Sequence, residues 1–389
     1  MYPGGGQPSP EPAEGYGPQA TDPTVTATIR QVLQSNVDTR EVISTLIGLL
    51  DGENPQLAAA AADELLKRDL DEAELRRLRE VAERVPFRDW ESDDRLPGET
   101  SNASGTHAWR VLEAKALPRM PQEEQIEWLV SWFWHGRPFR MSAADYATRP
   151  LSKMGPTAVP RLSAVLKTGD PYPQLWAGRA LMDIGTDEAF AAVEQWGLSV
   201  IEEAQDPLVR GTATRWLGLL QSEAAFEPML RVMWANLDEP SSSELVVGVQ
   251  DTGWERAIPE LVKVLELRPP ETGNADRAQT YLAAAQALAE LGDDRGRQAL
   301  RNAASSPDAA LRREAPWHLG CLGEREARPL LERLAQEADE TTALRARECL
   351  RVLDQDAPYA DPSQAMSGSM RLQVKRHERH TRWAHDHAQ

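Results

Sequence analysis

The sequence predicts an all-α fold built from repeated helical hairpins, and three observations support this prediction. Alanine, leucine, glutamate and arginine, which favour helices, are abundant, whereas the 389 residues include only 6 Tyr and 5 Phe. From about residue 140 the chain is self-similar, with one helical segment, a short turn and a second helical segment in each unit. The turn positions recur every 30 to 39 residues, which is the length of a two-helix repeat.

The chain before the repeats is expected to be helical as well, after a disordered Gly/Pro-rich leader at 1–22. Asp38 is a candidate N-cap for one of these helices, and Gly52 lies just beyond its end. A long polar loop is predicted at 87–105. The predicted helices are 24–35, 39–50, 55–68, 71–85, 106–117 and 122–135.

Each repeat has a residue between its two helices that should adopt the left-handed conformation. A glycine at the end of a first helix adopts this conformation more easily than any other residue. The predicted turn positions are Gly155, Gly185, Gln221, Gly253, Gly292 and Gly323. The stretch "LAELGDDRGRQA" at 288–299 could also be a metal or phosphate loop, but its outline returns 31 residues later as "HLGCLGEREARP". We therefore interpret Asp293, Asp294 and Arg295 as an inter-helix turn.

The repeats resemble the HEAT-like family, and specifically the short bacterial repeats first named for phycobilisome lyases. The resemblance is carried by "DPLVRGTA" at 206–213, "ALAELGDDRGRQAL" at 287–300 and the segment 307–334. It covers about residues 140–355 and implies an α-solenoid, an αα-superhelix of stacked hairpins. It implies little about activity, because many functions share such a fold.

The expected division of the chain comprises four segments. They are the leader 1–22, an N-terminal helical region 23–138, a HEAT-like solenoid 139–354, and a flexible linker with a basic His-rich tail at 355–389. The shortened last unit, 340–354, is a candidate cap for the stack.

Composition narrows the range of functions. The formal net charge of −18 argues against a general nucleic-acid binder, because such a surface repels phosphates. No apolar stretch is long enough for a membrane span, and neither a secretory signal nor a known catalytic motif is recognisable. Cys321 and Cys349 lack metal-ligand spacing and suggest buried thiols in a reducing cytoplasm. We therefore expect no catalytic residue, no metal and no cofactor.

Tryptophan is the most unusual feature of the composition, with 12 residues. Most should fill the core between hairpins, but Trp196 and Trp234 fall on second helices, where a solenoid's inner surface usually forms, and are candidate binding residues. The stretch "SWFWHGRPFR" at 131–140 offers Trp132, Trp134, His135 and Arg137 as a second candidate group. It is either an apolar joint before the repeats or an exposed aromatic-basic patch.

Two sets of basic residues complete the prediction. Arg210, Arg312 and Arg345 recur with the repeat and should form an inter-repeat ladder with acidic side chains. The tail 370–389 carries a charge of +3 while the remainder carries −21, which suggests a docking arm on the protein's own acidic surface, on a partner or on nucleic acid. Its candidate recognition residues are Arg376, His377, Arg379, His380 and Trp383.

The function expected from these observations is that of a non-enzymatic cytoplasmic scaffold or adaptor that holds a basic or extended protein partner. Nucleic acid is an unlikely partner except through the C-terminal tail, and no membrane is expected. The alternative is a HEAT-like enzyme or ligand-binding module, lyase-like or DNA-glycosylase-like, with an aromatic pocket near 132–137.

Overall fold

The computed structural model describes residues 23–34, 38–52, 54–84, 104–135, 143–239, 241–267, 275–337 and 339–354. These residues form helices and turns without any strand, which confirms the all-α repeat fold. The chain divides into two compact units, Met1–Ala180 and Leu181–Gln389, with the boundary inside one helix, α9 (Pro171–Ile184). The predicted leader 1–22, most of the loop 87–105 and the tail from residue 355 lie outside the described residues.

The first unit contains the helices predicted before the repeats, together with the first hairpin. The helices that precede α9 are α1 (Pro23–Gln34), α2 (Thr39–Leu50), α3 (Pro55–Leu66), α4 (Glu72–Arg84), α5 (Ser104–Lys115), α6 (Gln122–Ser131), α7 (Ala143–Met154) and α8 (Val159–Val165). Asp38 occupies the N-cap position of α2 but accepts no side-chain hydrogen bond there, whereas Asn54 caps α3 by accepting from two backbone amides.

Two predicted boundaries in this unit were wrong. The loop 87–105 ends earlier, because α5 already begins at Ser104. The helix predicted over 122–135 is α-helical only to Ser131 and tightens into a 3-10 turn at Trp132–His135. Tightening is common at helix ends because the last carbonyls lack partners further along the chain.

The second unit is a row of hairpins. Its helices are α10 (Asp187–Val200), α11 (Pro207–Leu219), α12 (Phe226–Ala235), α13 (Ser242–Asp251), α14 (Ile258–Leu267), α15 (Ala275–Glu290), α16 (Asp294–Ala304), α17 (Ala309–Cys321), α18 (Arg328–Leu334) and α19 (Glu340–Asp354). The first helices of the hairpins, α11, α13, α15, α17 and α19, pack against one another in order. The second helices α10, α12, α14, α16 and α18 each pack on the first helix that follows them.

Glycine allows the closest approach between first helices. A Cβ added to Gly218 of α11 would lie 2.1 Å from the carbonyl oxygen of Gly248 in α13. The two backbones therefore touch directly, and any side chain at either position would separate the helices. Around this contact the unit has a continuous apolar core, which includes Leu217, Met233 and Leu261.

The predicted left-handed turns are confirmed at every position. The five glycines have φ between 62° and 83°, and Gln221 has φ 55°. A non-glycine residue adopts this conformation only at some cost. Gln221 offsets this cost through its side chain, because its Nε2 donates a hydrogen bond of 2.6 Å to the carbonyl of Thr252 in the following turn. The turn at Asp293 is confirmed too: its carboxylate caps α16 by accepting from the Arg295 amide at 3.0 Å.

The predicted arginine ladder is present in the second unit. Its pairs are Arg210–Glu239, Arg312–Glu337 and Arg345–Glu314. Arg210 also donates to the carbonyl of Ala204, and Arg312 makes the corresponding bond to Ser306, six residues before it in each case. Each of these two arginines therefore ties the loop before its own helix to an acidic side chain in the loop before the next first helix.

Candidate functional site

A shallow, open groove between the second helices α12 and α14 is a candidate site of the second unit. Its volume is about 460 Å³, and it is lined by Trp234 from α12 and by Glu260, Lys263, Glu266 and Leu267 from α14. Trp234 is partly buried because one side of its indole packs on the apolar core. Leu267, the last residue of α14, is 63% exposed. We call this site the α12–α14 groove.

Hydrogen bonds fix the indole and one carboxylate of the groove. Trp234 Nε1 donates to Glu260 Oε2 at 2.9 Å, and Lys263 Nζ donates to the other oxygen, Oε1, at 2.7 Å. The hydrogen bond from Lys263, together with that from Trp234, lowers the pKa of Glu260 despite its partial desolvation. Glu260 is therefore ionised and held in place, and the indole presents a rigid face to the groove.

The groove favours cations for a second reason. Trp234 lies in the last turn of α12, and Glu266 and Leu267 lie in the last turn of α14. Helix C-termini carry partial negative charge, so these two ends add to the carboxylate of Glu266, whereas Glu260 lies in the first turn of α14. Lys263 offsets part of this charge, but it is already paired with Glu260. A lysine or arginine side chain fits this combination, because its apolar stem can contact Trp234 and Leu267 while its charged head meets Glu266.

The groove contains only one of the predicted site residues, Trp234. Trp196 is 4% exposed and packs its ring 5.5 Å from that of Trp216. Trp132 is 1% exposed, so both side chains are core residues in this structure. Trp134 is 46% exposed. The side chains of His135 and Arg137 lie outside the described residues, as do the tail residues Arg376, His377, Arg379, His380 and Trp383. Their assignment as binding residues stays a prediction.

The first unit holds an aromatic cluster around Trp132. The Trp109 ring lies 5.4 Å from that of Trp128 and 5.3 Å from that of Trp132. The guanidinium of Arg79 lies 5.8 Å from the ring centroids of both Trp128 and Trp132. A cation from the chain itself thus already faces these rings, which makes the cluster a packing joint of α4, α5 and α6. The alternative of a ligand pocket near 132–137 is not tested by these contacts.

A partly buried histidine links two first helices of the second unit. His318 Nδ1 donates to Gln286 Oε1 at 2.6 Å, and Gln286 Nε2 donates to Glu290 Oε1 at 2.7 Å. Burial lowers the pKa of His318 to about 4, against a smaller opposing effect of Glu290. The imidazole is therefore neutral at physiological pH, and the chain of bonds fixes its orientation.

Sequence reasoning missed four of the five groove residues. Glu260, Lys263, Glu266 and Leu267 belong to an ordinary amphipathic helix, and nothing in their spacing marks them. The usable signal was the repeat itself, because the residue that faces Trp234 must come from the next second helix. No group of three or more His, Cys, Asp or Glu side chains able to hold a metal occurs in the described part of the chain.

These features define the class of protein as an α-helical hairpin-repeat protein. Residues 271–351 match the family model for HEAT repeats, so this part of the chain consists of HEAT-like repeats. No curated protein matches it. Among the described helices, none has both the length and the apolar character needed to cross a membrane.

The solved structures that resemble the chain include the following two. The complex of CpcE and CpcF of phycocyanin lyase from Nostoc sp. PCC7120 is 19% identical, with a TM-score of 0.40, over 67% of this chain and 98% of that chain. A crystal structure of an engineered protein is 17% identical, with a TM-score of 0.31, over 86% of this chain and 92% of that chain. At these values the activity of neither protein transfers to this chain.

Proposed function

We propose that the chain is a non-enzymatic scaffold whose α12–α14 groove holds an extended, basic segment of a protein partner. The observation that carries this proposal is the combination of an exposed leucine, a fixed indole and two carboxylates of α14, of which Glu266 lies at the C-terminal end of that helix. Aromatic anchors in a desolvated site supply most of the binding energy in many interfaces. Carboxylates at the rim select the sign of the partner's charge.

The charge of the whole chain supports the same class of partner. A net charge of −18 attracts basic proteins over a distance and raises their rate of association at low salt. Extended segments suit a row of hairpins, because stacked hairpins form one elongated surface. The buried thiol of Cys349 supports a location in the reducing cytoplasm.

A capture experiment with a matched pair of charge reversals tests the proposal. The baits are the full chain, Glu266→Lys and Glu227→Lys, each immobilised and exposed to lysate at low and moderate salt. Glu227 is an exposed glutamate in the first turn of α12 that does not line the groove. We expect a stoichiometric basic protein on the full chain and on Glu227→Lys, and its loss on Glu266→Lys.

Two outcomes would contradict the proposal. A partner retained equally by both variants would place the binding surface elsewhere. A lysate that yields no protein for any bait would remove the scaffold function, and small ligands near 132–137 would then be tested by equilibrium dialysis. A synthetic peptide of alternating lysine and leucine provides a defined second probe, since it should bind the full chain and Glu227→Lys more tightly than Glu266→Lys.

A further inference from the structure

The C-terminal arm of the chain, residues 371–389, has the chemistry that the α12–α14 groove accepts. It carries Arg371, Lys375, Arg376, Arg379 and Arg382 against one glutamate and one aspartate. Leucine, valine and tryptophan are interspersed among these cations in the sequence "RLQVKRHERHTRW". A segment of this kind can place a cation against the carboxylates and an apolar side chain against the indole and the leucine at the same time.

The arm is long enough to reach the groove. Helix α19 ends at Asp354, so the segment 355–370 separates it from the arm. A fully extended segment of that length spans up to about 50 Å. Between α14 and the last hairpin lie the second helices α16 and α18, and packed helices are about 10 Å apart, so the distance to cross is on the order of 30 Å.

The carboxylates beside the intervening helices are already paired with arginines of the chain. The pairs are Asp293 with Arg295, Glu324 with Arg297 and Arg301, and Asp354 with Arg328. In the groove, Lys263 is paired with Glu260, and Glu266 interacts at longer range with Arg295. The charge that remains for a basic arm is therefore that of Glu266 and of the two helix C-termini.

We propose that residues 371–389 occupy the α12–α14 groove of their own chain and compete there with the basic segment of a partner. This inference rests on the proposed function, because it takes the groove to be a site for basic extended segments. The arm acts as a tethered competitor: a partner binds the groove only by displacing it. Tethering gives the arm an effective concentration on the order of 1 mM, which requires no strong intrinsic affinity.

The first test locates the arm. A benzophenone amino acid placed at position 267 in the full chain is irradiated, and the cross-linked peptides of the monomer are identified by mass spectrometry. We expect cross-links to peptides from 371–389, and their loss when the arm's five basic residues are changed to glutamine in the full chain. Cross-links found only in a covalent dimer would overturn occupation by the same chain. An unchanged cross-link in the glutamine variant would overturn the charge argument.

The second test measures competition with the lysine–leucine peptide by fluorescence anisotropy. We expect the glutamine variant to bind this peptide about tenfold more tightly than the unaltered chain, since a tethered competitor at about 1 mM with an intrinsic Kd of about 100 μM blocks the site to this extent. Equal affinities, both abolished by Glu266→Lys, would overturn the arm's role while leaving the groove as a binding site. No binding to either chain would remove both proposals.

Discussion

The contact between Gly218 and Gly248 makes the exchange of Gly218 for alanine a stringent test of the packing of the second unit. The new Cβ would lie 2.1 Å from the Gly248 oxygen and 2.9 Å from the Asp251 Cβ. An ordinary carbon–oxygen contact is more than about 3 Å, so α11 and α13 must separate by about 1 Å, and overpacking of this kind costs about 1–3 kcal/mol. The gain in helix propensity, at most about 1 kcal/mol, is small in a last turn.

We therefore expect Gly218→Ala to lower the free energy of unfolding by about 2 kcal/mol, which lowers the melting temperature by about 4–8 °C for a unit of this size. Thermal unfolding by circular dichroism measures the shift, and hydrogen exchange in α11 and α13 shows whether the loss is local. Gly48→Ala is the matched control, because nothing lies within 4 Å of its added Cβ, and it should be neutral or stabilising. Unaltered stability of Gly218→Ala would refute the direct backbone contact.

Three further changes test the electrostatics. In the folded chain the pKa of His318 is about 4, whereas the unfolded residue takes up a proton near pH 6.5. The contribution of His318 to the free energy of unfolding is therefore complete above pH 6.5 and is lost as the pH falls toward 4. Between pH 6.5 and 4, the free energy of unfolding of the native chain, measured by urea titration, should fall by up to about 3 kcal/mol more than that of His318→Gln. If the two free energies fell in parallel with pH, His318 would not titrate as inferred. Arg215→Met should lower the free energy of unfolding by about 3 kcal/mol. The fully buried carboxylate of Asp251 would lose its ion pair with the guanidinium, in which Oδ2 lies 3.3 Å from Arg215 Nε. Arg231→Met breaks an exposed ion pair with Glu202 and should lower the free energy of unfolding by less than about 1 kcal/mol in the same assay. Equal losses for the two variants would refute the distinction between the buried and the exposed ion pair.

Much of the fold could be predicted from the sequence because its signals are local and repeated. The turn residues are an example: a left-handed position after each first helix follows from glycine at five sites, and the register of the repeat identified Gln221 as the sixth. Helix ends were less predictable. Ser104 begins α5 inside a segment that read as a polar loop, because serine and glycine occur both in loops and in first turns.

The site was only partly predictable, for a physical reason. Whether a tryptophan is buried depends on its angular position on the helix relative to neighbours that come from other repeats. Trp196 and Trp234 occupy similar places in their hairpins, yet Trp196 packs against Trp216 while Trp234 borders an open groove. Spacing along the chain does not distinguish these two environments, since it fixes neither the neighbour nor its distance.

The uniform left-handed turns also have a consequence for how such a gene can change its length. An unequal exchange between the codons of Gly253 and Gly292, for example, duplicates or deletes one whole hairpin. The junction then still carries a glycine with a positive φ. Growth of the second unit by whole hairpins therefore creates no strained turn. Close contacts between first helices limit this freedom. A hairpin inserted between α11 and α13 would separate Gly218 from Gly248, and one inserted between α17 and α19 would separate Gly320 from Cys349. Lineages that lengthen the array are thus expected to do so between α13 and α17.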